Sequence, residues 1–430
     1  MIGAAGRFSR GRRQKVFYGW WIVLAGAVSQ AYTAGAYWQG FGAFFDLILG
    51  HFGWSRAVTA LAVSIQRTES GAVAPFVGYF IDRYGPRQVM LIGITILGVG
   101  FILLSRVQNL WQFYLAFVII TLGLSFGTFM VVTTCIANWF MEKRARALGL
   151  AMTGTGIGGL LVPLIILIIS ATSWRTALVI IGIGFFATGF PAAFLMRRRP
   201  EDHGMLPDGR RRQARVASSE TGDRGGARPA GYPRGGPERD FTVREALRTR
   251  WFWQFAIAMG VAQMAMSASI HQIPAITSFG FSLGTAGLII TGSSLASMAG
   301  RLSSGFLGDV VDKRYVIAAS IVCQVAGLLF LANSTSMPML IGFMLFWGLG
   351  WGGGVPVRFA MVADYFGRRS FGSIMGFLGT VSTVFGIASP VLVGWLADVR
   401  GEDYRMPLTV LAFSVLVGLP LILTLRSAEK

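Results

Sequence analysis

Acidic residues, histidine and cysteine are scarce in this chain. Its 430 residues hold 19 Asp+Glu, 3 His and 2 Cys. Cys135 and Cys323 both fall inside apolar stretches, so no disulfide framework is expected and both read as small buried hydrophobes. Histidine and cysteine are too few and too scattered for a metal site. The Gly-rich phosphate loop that ends in Gly-Lys-Ser/Thr is missing, which argues against ATP-driven work. No Ser/His/Asp arrangement points to a hydrolase. The chain therefore reads as a protein without cofactor or catalytic residues. Charge as a whole is thin, at 13% of residues, where a soluble domain carries roughly 25%.

Long apolar runs fill the space that charge leaves. A bilayer crossing needs about 20 apolar residues. On that rule twelve spans are expected, at about 17–38, 56–80, 88–105, 111–135, 147–170, 175–196, 251–275, 284–307, 315–333, 337–362, 371–397 and 406–426. The fold class is an all-α membrane protein. The apolar run after the basic N-terminal residues is longer than a signal-peptide core, so it reads as an uncleaved first span.

The net charge of +19 is explained by topology. With both termini in the cytoplasm, the cytoplasmic segments hold 30 of the 38 Lys+Arg and the opposite side holds five, Arg56, Arg106, Arg175, Arg400 and Arg405. That asymmetry follows the positive-inside rule, which fixes orientation; the expected location is the cell (inner) membrane, multi-pass, with both termini cytoplasmic. No nucleic-acid-binding module accompanies the charge.

A repeat runs through the chain at an offset of 227 residues. Gly78 and Asp82 match Gly305 and Asp309, Gly149 matches Gly376, and Pro163 matches Pro390. The expected organisation is a six-helix bundle over 1–196, a cytoplasmic basic linker over 197–250, and a second six-helix bundle over 251–430. Parallel six-helix repeats place a transporter's site between the halves, near mid-membrane. The linker is rich in Arg, Gly and Pro and reads as flexible, with its arginines against anionic lipid heads. Residues 240–250 are a candidate short amphipathic helix. A monomer is expected, because the repeat already forms a complete interface.

These residues resemble a family. Gly78-x-x-x-Asp82-Arg83-x-Gly85-x-Arg87 resembles the loop signature of the major facilitator superfamily, and Gly305-x-x-x-Asp309 followed by Asp312-Lys313-Arg314 resembles its second copy. A narrower resemblance is to the monocarboxylate transporters and the oxalate/formate antiporter group. It is carried by Tyr18-Gly19-Trp20-Trp21, by Asn138-Trp139-Phe140 with Lys143-Arg144, by His271-x-x-Pro274, and by Gly300-Arg301-x-x-x-Gly305-x-x-x-Asp309. The resemblance implies twelve helices, secondary transport, and Arg301 as ligand of a substrate carboxylate. Departures from the pattern matter. Trp38 stands where animal monocarboxylate transporters carry a lysine, and Ser297 where they carry an aspartate. The antiporters' span-11 lysine has no counterpart, since 371–397 holds no Lys or Arg.

Independently of the resemblance, three arginines lie inside apolar spans, where an ionised group costs at least ~2.5–3.5 kcal/mol and is a functional candidate. Arg301 lies about 12 Å from the cytoplasmic end of span 8 and shares a stripe with Ser294, Ser297 and Ser304. Arg358 shares a helix face with Trp351 and Val355, following a glycine cluster; it can contact substrate or extend to the cytoplasmic surface. Arg67 lies near mid-membrane, as an anion ligand or a gate. A guanidinium grips a carboxylate in two places. Glu69 is the single acid at such depth. It sits ~200° around the helix from Arg67, so the two cannot pair. Burial favours the uncharged form of a carboxyl, which makes Glu69 a candidate proton carrier. His271, the one intramembrane histidine, is a candidate for proton coupling or for a bond to substrate. Asp82 with Arg83 and Arg87, and Asp309 with Lys313 and Arg314, are a candidate cytoplasmic gate of charge contacts.

The expected function is secondary transport of a small organic anion, most directly a carboxylate, by alternating access, with either proton symport or exchange against a counter-anion. An amphiphile exporter of the same fold and a carboxylate-sensing receptor are the alternatives.

Overall fold

The computed structural model describes residues 16–54, 56–209, 240–399 and 403–425. The basic N-terminal residues and most linker arginines, expected against lipid heads, lie outside the described residues.

Every long element is a helix, and the twelve expected spans are present. Span 1 is Tyr18–Thr33, continued by a π-helical Ala34–Gln39 and by Phe41–Phe52. Spans 2 and 3 are Arg56–Tyr84 and Pro86–Ser105. Span 4 is Leu110–Gly127 with Phe129–Trp139, and span 5 is Arg144–Ile157 with Leu161–Ala171. Span 6 is Trp174–Leu195. Span 7 is Arg250–Met264 with Met266–Ser278. Spans 8 to 11 are Leu283–Val310, Lys313–Ala332, Met337–Phe366 and Phe371–Val399. Span 12 is Arg405–Leu416 with Gly418–Leu423.

Span 1 runs past its expected end at 38. The extension is apolar, and Phe41, Phe44, Ile48 and Leu49 recur on one buried face at helical spacing. The helix expected over 240–250 is shorter, Val243–Leu247. It is started by a capping box in which the Thr242 side chain and Glu245 satisfy each other's backbone N–H groups.

Among the described residues, eight of these spans are long and apolar enough to cross a membrane on length and composition: spans 3 to 6 and 9 to 12. The remaining four are spans 1, 2, 7 and 8. Span 1 is broken by a π-helical stretch and span 7 by a one-residue break at Ala265. Spans 2 and 8 carry the polar runs Gln66–Ser70 and Ser293–Ser304. These four pair off by the repeat, 1 with 7 and 2 with 8.

Each half has its own core. Phe44, Phe101, Phe113, Phe117 and Phe185 anchor the first, and Phe252, Phe255, Phe343 and Phe366 the second. The halves meet along two helix pairs, span 2 on span 11 and span 5 on span 8. Both contacts depend on repeat-related glycines. A Cβ on Gly78 would lie 2.1 Å from the Gly372 carbonyl oxygen, and one on Gly376 would lie 2.4 Å from that of Ala74. A Cβ on Gly149 would lie 2.6 Å from the Arg301 carbonyl oxygen, and one on Gly305 would lie 3.0 Å from that of Ala145. Close backbone approach at small residues is how membrane helices associate without a hydrophobic driving force.

Candidate functional site

A cavity of about 960 Å³ lies between the halves, walled by parts of spans 1, 2, 4, 5, 7, 8 and 10. Its described lining is rich in amides and hydroxyls: Gln30, Gln39, Gln66, Gln263 and Gln272, with Ser70, Ser125, Thr155, Ser293, Ser294 and Ser297 among the hydroxyls. Trp38, Phe129, Trp347 and Trp351 supply aromatic surface. One charged side chain, Arg301, is among the described lining residues, and no acid is.

Span 8 presents Arg301 because Ser294, Ser297 and Arg301 share one helix face, and all three line the cavity. Ser304, the next polar residue of that stripe, is buried against Gly353 of span 10. The Arg301 guanidinium crosses to the other half. Its Nη1 donates to the Met152 carbonyl oxygen at 3.2 Å and to the Thr155 hydroxyl, both on span 5. Ser297 is 6% exposed, and its hydroxyl has no hydrogen-bond partner among the described residues. Trp351 stacks on Trp347 with centroids 5.8 Å apart and planes at 15°.

The other candidates are placed elsewhere. Arg358 is 8% exposed and outside the described lining, and its Nε donates to the Gly354 carbonyl oxygen at 2.9 Å. It lies two turns past Trp351 along span 10. Arg67 also lies outside the lining. Its Nη1 donates to the Gly386 carbonyl oxygen at 3.2 Å, tying span 2 to span 11. Glu69 faces away from it, as the helix geometry requires. Both Glu69 carboxylate oxygens are buried without a hydrogen-bond partner among the described residues, with the Thr121 and Ser125 hydroxyls of span 4 nearby. Ser125 belongs to the cavity lining. His271 points away from the cavity. Its Nε2 is 3.1 Å from the Pro390 carbonyl oxygen, and its ring lies 5.7 Å from that of Tyr404, while its neighbour Gln272 lines the cavity.

The charge contacts on the linker side differ in their partners from those expected. Asp82 accepts from the backbone N–H groups of Gly372 (3.1 Å) and Ser373 (2.8 Å), and from the Ser373 hydroxyl. Asp309 accepts from the N–H groups of Ala145 (2.9 Å) and Arg146 (3.3 Å). Each aspartate thus sits at the start of a helix of the opposite half, where unsatisfied N–H groups and the helix dipole favour an anion. The basic residues beside them turn elsewhere. Arg83 donates to the Tyr79 hydroxyl, Arg87 lies over the Phe194 ring, and Arg314 pairs with Asp312, holding that carboxyl below the usual carboxylate range. Lys313 pairs with Asp364 at 2.7 Å.

Asp364 also takes Arg144, whose side chain is 1% exposed and donates to the carbonyl oxygens of Ala137 and Phe140. Arg144 and Asp364 belong to opposite halves. Sequence reading named Arg144 for its family resemblance and its cytoplasmic charge, not for a partner in the other half. It passed over Gln30, Gln39 and Gln66, whose amides inside apolar spans mark a polar cavity wall.

Comparison with known proteins agrees with this architecture. The family model described as Major Facilitator Superfamily matches residues 28–275 and 255–430. The chain is 23% identical to monocarboxylate transporter 13 of Bos taurus over 417 residues, 95% of this chain and 89% of that protein. It is 26% identical to human monocarboxylate transporter 12, over 93% of this chain and 79% of that one. Among solved structures it resembles the transporter FucP in the outward conformation (TM-score 0.69, 16% identity, 94% of this chain and 98% of that one). It also resembles the human organic anion transporter MFSD10 (TM-score 0.67, 15% identity, 94% and 99%). The twelve-helix fold, the transporter relatives and the match over nearly the whole length lead to one assignment: the chain is a multi-pass membrane transporter belonging to the major facilitator superfamily, similar within it to the monocarboxylate transporters.

Proposed function

We propose that this chain carries a small organic anion bearing one carboxylate across the cell membrane by alternating access, with the linker side cytoplasmic. One observation supports the reading above the others: Arg301 is the charged side chain in a cavity whose described lining holds no acid. With Nη1 engaged by span 5, the Nε–Nη2 edge remains for a planar carboxylate. The amides and hydroxyls around it suit the polar parts of the cargo, and the tryptophans its apolar body. Arg67 and Arg358 lie off the described lining, which favours a cargo with one carboxylate. The closed linker side corresponds to a state open to the exterior. Glu69, beside Ser125, is the proton site if uptake is coupled to protons; exchange against a second anion needs no such site.

The test is a thermal-shift screen of the purified protein against mono-, di- and tricarboxylates, run beside Arg301→Gln. A ligand at a hundredfold excess over its Kd stabilises by ~2.7 kcal/mol. A monocarboxylate that stabilises the parent and not the variant supports the reading. A response to cations or neutral amphiphiles, with none to carboxylates, overturns it.

A further inference from the structure

The two described ends of the linker dock at repeat-equivalent places. After span 6 the chain turns through Glu201–His203 and Pro207–Gly209. There Asp208 adopts φ 59°, the sole positive φ outside glycine among the described residues. Its carboxylate accepts from the backbone N–H groups of Met141 (3.0 Å), Glu142 (2.9 Å) and Lys143 (3.2 Å), the loop that precedes span 5. The chain returns at Asp240, whose carboxylate accepts from the N–H groups of Arg368 (2.9 Å) and Arg369 (3.1 Å), the loop that precedes span 11. Residues 141 and 142 correspond to 368 and 369 at the 227-residue offset. Each aspartate therefore fastens one end of the linker to its own half, and the left-handed backbone at Asp208 is held by three hydrogen bonds.

From the loop that precedes span 11, the second half also reaches across to the first. Arg368 Nη1 donates to the Asn138 carbonyl oxygen at 2.9 Å, at the end of span 4, and its Nη2 meets Glu201 at 3.1 Å. At the equivalent position the first half carries Met141, which has no charge to send back. Arg368 thus links loop 10–11 of the second half, the end of span 4 and the start of the linker, while its own backbone is held by the other end of the linker.

We infer that Arg368 is a latch between the linker's first segment and the second half, and that its bonds to Asn138 and Glu201 set how readily the linker side opens. Each half moves together with the linker end its aspartate holds. Opening the linker side leaves both aspartate clamps intact and parts the Arg368 contacts. The inference rests on the alternating motion of the proposed function and not on the identity of the cargo.

The test is an electron-spin distance measurement on the full chain in lipid, with Cys135→Ala and Cys323→Ala as background and labels at residues 84 and 315. Tyr84 and Tyr315 are both exposed, on the linker side, one in each half. The variants are Arg368→Gln, Glu201→Gln, Arg369→Gln as a solvent-exposed control, and the double variant Asp82→Ala/Asp309→Ala. The expected result is a longer distance in Arg368→Gln, with the open-to-closed ratio raised about tenfold, the size of one lost charge-assisted hydrogen bond. Glu201→Gln should give a smaller rise in the same direction, and Arg369→Gln none. If the Asp82/Asp309 double variant opens while Arg368→Gln and Glu201→Gln keep the parent distribution, the latch is overturned and the motion stands. If no variant shows a second distance, the alternating motion itself fails. Should Arg368→Gln not fold, Glu201→Gln decides alone.

Discussion

Asp82 and Asp309 perform the same act in opposite directions. Asp82, ending span 2 of the first half, accepts from the N–H groups of residues 372 and 373 at the start of span 11. Asp309, ending span 8 of the second half, accepts from those of residues 145 and 146 at the start of span 5. Residues 145 and 146 become 372 and 373 on adding the 227 that turns 82 into 309. The closed linker side is therefore built twice from one plan.

That symmetry yields a prediction. Asp82→Ala and Asp309→Ala should each remove one cap, worth about 0.5–2 kcal/mol, and should do so by similar amounts. Thiol labelling of a cysteine placed on the linker side would rise by a comparable factor in each. A large effect from one and none from the other would mean that the two contacts carry unequal shares of the closure.

The glycine contacts give a second prediction. Gly149→Ala and Gly376→Ala push a methyl into a backbone carbonyl of the opposite half. Overpacking of this kind costs about 1–3 kcal/mol, and here it acts between bodies that must separate and rejoin. Gly50→Ala is the control, since a Cβ there meets nothing within 4 Å and the site is helical. Thermal unfolding in detergent should show clear losses for the first two and no loss for the third.

Arg358 and Arg301 should separate by what they disturb. Arg301→Lys keeps the charge and loses the fork, so ligand-induced stabilisation should fall sharply. Arg358→Lys alters a residue bound to its own helix at Gly354 and off the cavity lining. It should lower the unfolding temperature while leaving the ligand-induced shift in place. Loss of that shift in Arg358→Lys would place the residue in the binding path.

Arg144 and Asp364 offer a test by cycle. Asp364→Asn takes the acid away from a buried guanidinium that also donates to the carbonyl oxygens of Ala137 and Phe140, at a cost of about 1–3 kcal/mol. Asp364 itself is 33% exposed, so the lower part of that range is expected. Arg144→Met combined with Asp364→Asn should recover part of the loss, because a buried charge without its acid costs more than no charge.

The fold was largely legible in the chain. Twelve apolar runs, the 227-residue offset and Arg301 with its serine stripe could all be read directly, because each follows from a period or a single costly residue. Partner choice could not be read. Asp82 and Arg83 are neighbours in sequence, yet the acid faces a helix start across the interface and the base turns to Tyr79. Arg358 and Trp351 share a helical face by spacing, but Trp351 lines the cavity and Arg358 is buried off the described lining. Backbone N–H groups leave no mark in a sequence, so Asp208 and Asp240 were silent as well.

The four spans that fall short as membrane helices have a consequence for biosynthesis. Spans 1, 2, 7 and 8 are interrupted or polar, and all four contribute to the cavity wall, alongside spans 4, 5 and 10. Such segments partition poorly into lipid by themselves. Spans 3 to 6 follow the first pair in the chain, and spans 9 to 12 follow the second. Each half therefore begins with the two helices least able to enter a bilayer unaided. Their polar faces are sheltered only once the apolar helices behind them are in place, so a half truncated after its second span should insert poorly into lipid.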